Sequence, residues 1–317
     1  MRRVKSRAVR AGRALLLGLG AATLFLTTGF GLGATSLAQQ PGQRTFGSPA
    51  DAVSALFTAV RSNDERAILA VLGPAGKRVV SSGDATEDAA ARANFVRKYD
   101  QMHRLVKEPD GTLTLYVGAE NWPMPIPIAQ SGRAWYFDTA SGAREILYRR
   151  IGRNELSAIR VCEALAAGEK EYGSTHHGEY ARHIFSTSGR HDGLYWKVDR
   201  GEPGSPIGPL VASAAAEGYA AGRHKGTPTP YRGYYYHILT RQGGSARGGA
   251  RSYLAGDRMT GGFAFVAYPA VYRSSGVMTF IVGGDGVVYQ KDLGRRTDVI
   301  ARAMKEYNPG PGWQQPR

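Results

Sequence analysis

The sequence predicts an α+β protein in two parts: N-terminal helices plus a curved antiparallel sheet, then a long helix packed on a second antiparallel sheet. Three observations carry this. Apolar residues recur at helical spacing between residues 48 and 102. They alternate at a period of two from 112 to 151 and again from 231 to 293. One long helical pattern stands between the two alternating regions. Helices and strands that come in separate runs make an α+β chain rather than an α/β one.

Taken in order, "GSPADAVSALFTAVRSND" is the first helix. Ser48 is its N-cap, Pro49 fits the first turn, Asp51 completes an S-x-x-D box, and Val53, Leu56, Phe57 and Val60 form one stripe. Asn63 or Asp64 opens a short second helix with Ile68, Leu69 and Leu72, ended by Gly73-Pro74. The third, "TEDAAARANFVRKYDQM", has acids in its first turn, which complement the helix dipole, and turns Phe95, Val96, Tyr99 and Met102 inward. "TLTLYVG", "MPIPIA", "RAWYFDT" and "REILYRRI" then read as strands, with Trp135 and Phe137 inside the curve and Trp122 near its mouth. Residues 152–174 form the longest helix, capped by Asn154, with Ile159, Cys162, Leu165 and Ala166 on one face and Gly173 at its end. A loop-rich stretch and a short helix, "PLVASAAAEGYA", precede the last strands, "YRGYYYHILT", "RSYLAGD", "GGFAFVAYP", "GVMTFIVG" and "GVVYQKDL"; "VGGDGVVY" is a hairpin signal. The expected domains are residues 46–150 and 151–305, followed by a flexible tail at 306–317.

The first 38 residues have another character. Six basic residues and no acid precede a Gly-broken apolar stretch, and Ser36 and Ala38 stand at the −3 and −1 positions of a cleavage site. This is the layout of a signal peptide cut after Ala38, which places the protein in the periplasm or outside the cell; the alternative is a retained membrane anchor. Without those six residues the formal charge falls from +15 to +9, spread along the chain, as a soluble surface requires. One cysteine, Cys162, excludes an internal disulfide, and its apolar helical setting makes it a buried small hydrophobe.

Long stretches of the mature chain resemble a family of bacterial exported proteins of unknown function, DUF2950. They are "IGRNELSAIRVCEAL", "EYARHIFSTSGRHDGLYW", "GSPIGPLVASAAAEGY", "YRGYYYHILTRQG" and "GGFAFVAYPAVYRSSGVMTFIVGGDGVVYQKDLG", and the resemblance runs from about residue 46 to 300. It implies export and no particular activity. The helical and curved-sheet layout of the first half resembles nuclear-transport-factor-2-like folds, in which the cone often holds a ligand or an active site. The second half resembles the globular domains of type II secretion pseudopilins, although the N-terminus lacks the glutamate a prepilin needs.

No catalytic motif stands out. G-x-S-x-G is absent, and "GGDG" lacks the Lys-Ser/Thr ending and following helix of a phosphate loop. His176, His177, His183 and His191 fall within 16 residues, with Glu179 and Asp192 nearby, and are the candidate metal ligands. Asp285 and Asp292 are a weaker candidate pair for calcium. Asp192, Tyr195 and Trp196 form either a turn with two aromatic anchors or a stacking ledge for a ligand. In the strand after Gly233, Tyr234 and Tyr236 share one face and Tyr235 and His237 the other. Aromatic on both faces, it reads as an interior strand, with Tyr234 and Tyr236 part-exposed as a ligand surface. No cofactor is expected. The expected function is that of an exported cell-envelope protein, a non-enzymatic binding or assembly-accessory one. Its partners would be an envelope glycan or a secretion or pilus-like assembly protein; export argues against nucleic acid. The alternative is a periplasmic hydrolase with a site near Asp192.

Overall fold

Capping residues start the first two helices where the sequence places them. The computed structural model describes residues 39–198, 203–219 and 228–316, so the expected signal peptide, residues 1–38, lies outside the described residues. Helix α1 (Pro49–Arg61) begins where Ser48 Oγ accepts the Asp51 amide at 3.1 Å, and α2 (Glu65–Leu72) where Asp64 accepts that of Ala67 at 3.0 Å. A short α3 (Lys77–Val80) leads into α4 (Ala85–Gln101), whose cap, Asp84, accepts from Thr86 N and Glu87 N.

The first sheet comprises β1 (His103–Lys107), β2 (Leu113–Val117), β3 (Trp122–Pro123), β4 (Ile128–Ser131) and β5 (Ala134–Phe137). Its order is β1-β2-β4-β5, with β3 also on β2, and every pairing is antiparallel. Strand β1 went unread in the sequence: it is a charged edge strand, HRLVK, without an alternating apolar face.

The fourth expected strand, "REILYRRI", is helix. Asp138 caps Ser141 N at 3.3 Å, and α5 then runs unbroken from Thr139 to Thr175. Its buried residues (Leu147, Arg150, Asn154, Ser157, Val161, Leu165) follow a spacing of three and four, not two. The polar members at 150, 154 and 157 disguised that stripe. Asn154, expected as an N-cap, is mid-helix and 2% exposed, and its amide bridges Glu87 Oε2 (3.0 Å) and Ser275 O (3.1 Å). The boundary expected at 150/151 therefore falls inside one helix, and the described residues form one compact unit with two apolar cores.

After α5 come the parallel pair β6 (His183–Phe185) and β7 (Gly193–Tyr195), α6 (Gly208–Ala216) and β8 (Tyr234–Leu239). Four short strands follow: β9 (Arg241–Gln242), β10 (Arg251–Ser252), β11 (Leu254–Ala255) and β12 (Arg258–Met259). The second main sheet adds β13 (Ala264–Pro269), β14 (Met278–Gly283) and β15 (Val288–Asp292), in the antiparallel order β15-β14-β13-β8. Helices α5 and α7 (Thr297–Ala303) both pack on β13, all six of whose residues are buried. That is the strand covered on both faces; β8, expected in that role, is the sheet's edge. Tyr234 is fully buried rather than part-exposed, and its hydroxyl donates to Met278 O at 3.0 Å.

The segment expected to be a flexible tail is tied down. Strand β16 (Glu306–Tyr307) pairs with β9, Tyr307 and Trp313 pack on the core, and Gln314 exchanges backbone hydrogen bonds of 2.7 and 3.1 Å with Gln290. Among the described residues no helix is long and apolar enough to cross a membrane. The architecture is α+β, as the sequence predicts.

Candidate functional site

A two-residue turn builds one wall of an apolar pocket. Arg232 (φ 49°) and Gly233 (φ 75°) carry Tyr231 and Tyr234 into reciprocal backbone hydrogen bonds of 2.8 and 3.2 Å. Two consecutive residues at positive φ match the twist of a hairpin. A Cβ at 233 would lie 2.9 Å from that of Ser275 and against the Asn154 amide, so the position requires glycine. The turn lifts Tyr231 off the strand and sets its ring edge-on to Tyr219, with centroids 4.9 Å apart.

A polar seam between the two cores holds the turn. Asp84 Oδ2 accepts from Gly233 N at 2.8 Å and from the Tyr219 hydroxyl at 2.9 Å. Arg232 pairs with Glu217 through Nε at 2.9 Å and through Nη2, and donates to Ser157 Oγ at 3.2 Å. Burial and the Asp84 charge raise the Tyr219 pKa, and the Glu217 hydrogen bonds raise that of Arg232. Tyr219 thus stays neutral and Arg232 charged, each with its partner already engaged.

Behind the turn lies a cavity of about 120 Å³, walled by Val161 and Leu165 of α5, Ile184 and Phe185 of β6, and Leu210 and Val211 of α6. Tyr219, Tyr231 and Tyr236 complete it. The Tyr236 hydroxyl is buried without a hydrogen-bond partner, and burial holds its pKa far above the usual range. Tyr236 therefore gives the cavity its ring.

Residues 43–315 match the model of a family described as a protein of unknown function, DUF2950. The chain belongs to the DUF2950 family. The match takes in both cores, the pocket and the tied-down C-terminal segment, a longer span than the sequence motifs suggest. No curated protein and no solved structure matches the chain.

Of the residues singled out in this DUF2950 sequence, Tyr236 lines the pocket and Tyr234 lies in the core. Tyr195 packs edge-on to Phe185, a pocket residue, at 5.8 Å. Asp192 closes a loop: its oxygens accept from Thr187 N (2.7 Å) and Thr187 Oγ1 (2.9 Å). Its carboxyl is held below the usual range; partial burial works against this, but the Thr187 hydrogen bonds and the nearby His183 outweigh it. Trp196 is buried, stacks on His191 at 4.5 Å and donates to Pro203 O at 3.3 Å. These are the contacts of a turn with aromatic anchors.

The four histidines do not assemble as a metal site. His176 stacks on Tyr172 at 3.8 Å, His177 occupies a left-handed turn position, His183 begins β6 and His191 lies on Trp196. Among the described residues no three His, Cys, Asp or Glu side chains converge for a metal ion. Asp285 and Asp292 bracket β15 and cap separate turns, through Val287 N and Gly294 N. The sequence reading missed Asp84 and Tyr219. "DATE", residues 84–87, is a capping-box pattern that marks Asp84 as a cap, but its second role at Gly233 depends on tertiary structure.

Proposed function

We propose that this protein is an exported, non-catalytic binding protein of the cell envelope, whose pocket under the Tyr231–Tyr234 turn receives a ring-sized apolar group. The observation that carries this is the pocket itself: apolar walls and tyrosine rings, with the nearest charges, Asp84, Glu217 and Arg232, already committed to one another or to the backbone. Its volume, about 120 Å³, is somewhat below that of the roughly 150 Å³ apolar cavity that admits benzene, which sets a single small ring as the upper size for a fully enclosed group. Convergent polar groups with free valence would favour catalysis; here the supporting features are those of a receptor. An assembly-accessory role would rest on the pilin-like laying of α5 along β13 and β14, a packing open to many α+β folds.

The test is calorimetric titration with toluene, p-cresol and indole. Leu210→Trp places a large ring in the pocket from its partly exposed rim. The expected result is saturable binding by the natural chain and at least tenfold weaker binding by Leu210→Trp with an unchanged melting temperature. Tyr236→Phe should bind as before. Equal binding by Leu210→Trp would overturn the assignment. Export is checked by the mass of the mature protein, which should begin at Gln39.

A further inference from the structure

A second pocket lies in the N-terminal core, between α1, α2, α4 and the start of α5. Its volume is about 200 Å³, and its walls are apolar, with Leu56, Ile68, Trp122, Met124 and Ile146 among them. Three charged side chains reach it: Asp88, Arg92 and Arg150. Charges brought to an apolar cavity are costly unless each is compensated, so the partners of each decide what the pocket accepts.

Two of the three are compensated. Both Asp88 oxygens accept from Ser82 N, at 2.9 and 3.1 Å. Arg150 donates through Nη1 to Arg78 O at 2.8 Å and through Nη2 to Val79 O. Arg92 is different. Its one hydrogen bond, from Nη1 to Val80 O, is long at 3.5 Å, and its Nε is buried with no partner. The three charges sum to +1, one carboxylate serving two guanidiniums, and the less well bonded guanidinium belongs to Arg92 in the cavity wall. Arg92 also borders an open surface depression shared with Arg61 and Arg97, which gives the approach a basic character, with Asp100 as its acid.

We infer that this pocket binds a small monocarboxylate with an apolar tail, the carboxylate on the Arg92 guanidinium and the tail against Trp122 and Met124. The planar guanidinium matches a carboxylate, and a charge-assisted pair formed away from bulk water is stronger than a neutral hydrogen bond. A neutral ligand would leave Arg92 as it is; a cation would add to the net positive charge of the three side chains. This site is independent of the pocket under Tyr231, so either can fail without the other.

The experiment is calorimetric titration of the mature protein at pH 7 with hexanoate, hexanol and hexylamine. Hexanoate should bind at least tenfold more tightly than the other two. Arg92→Gln should lose that preference, while Arg92→Lys, which keeps the charge but not the planar fork, should fall between. Should both variants melt early, 6-bromohexanoate on the natural chain decides: it should quench tryptophan fluorescence, and Trp122→Phe should abolish the quenching. Hexanol binding as tightly as hexanoate, or quenching that survives Trp122→Phe, would overturn the inference.

Discussion

Glu169 lies on α5, fully buried, in a setting that makes stability depend on pH. One carboxyl oxygen accepts from Ala181 N at 2.9 Å; the other has no partner. Burial pushes its pKa up to about 8, from a usual 4.5, and the Ala181 hydrogen bond only partly opposes this. Because the folded value is raised, the folded chain keeps a proton that the unfolded chain gives up. Stability is therefore intact below about pH 4.5, declines by about 1.4 kcal/mol per pH unit above it, and levels off beyond pH 8. By pH 7 the loss is on the order of 3 kcal/mol, a large share of the ~5–15 kcal/mol that holds a domain together. Glu169→Gln removes the titration and keeps an acceptor for Ala181. Urea unfolding of both proteins at pH 5, 6, 7 and 8 is the assay. The stability difference, variant minus natural, should rise by roughly the same slope at each step to pH 8. The extra amide donors of Gln set a constant offset and leave the slope alone. Parallel pH profiles would show that the carboxyl titrates normally and would refute the reasoning.

Two further outcomes follow from the packing. Gly233→Ala puts a Cβ at positive φ against Asn154 and Ser275, so it should cost on the order of 3 kcal/mol in urea unfolding, and a smaller loss would mean the turn relaxes freely. Removing residues 306–316 takes away β16, Tyr307 and Trp313, so the truncated chain should lose ~3 kcal/mol or more; an unchanged melting temperature would restore the idea of a loose tail.

What could be read from the sequence was whatever local chemistry alone decides. Ser48 and Asp64 cap their helices because an N-cap needs only its own side chain and the next turn. The "GGDG" hairpin formed because Gly286 (φ 79°) and the Asp285 bond to Val287 N are contained in the turn. The misreadings fall where a distant segment decides. Residues 144–151 carry an alternating-looking pattern, but Arg150 is buried at a helical position because the carbonyls of Arg78 and Val79 receive its guanidinium. No window around 150 contains those carbonyls. Likewise "NPGPGW" has the composition of a loose end and is ordered by Gln290 and by the core under Trp313.

The same division explains why an aromatic run alone does not tell a pocket wall from the core: Tyr236 lines the pocket and Tyr234 does not. A tyrosine is apolar over most of its surface, so three in a row satisfy a core as readily as a groove. Tyr234 indeed went to the core, with Gly276 against its ring. A buried polar atom without a partner has no such indifference, since it carries a free-energy penalty that a folded chain ordinarily removes. The Arg92 Nε is such an atom, and its residue borders both an apolar cavity and an open, basic depression. Seen in the sequence, Arg92 is one of two arginines in "AAARANFVRK", on what reads as a solvated helix face. Only the packing of α1, α2 and α5 around α4 turns that face into a cavity wall.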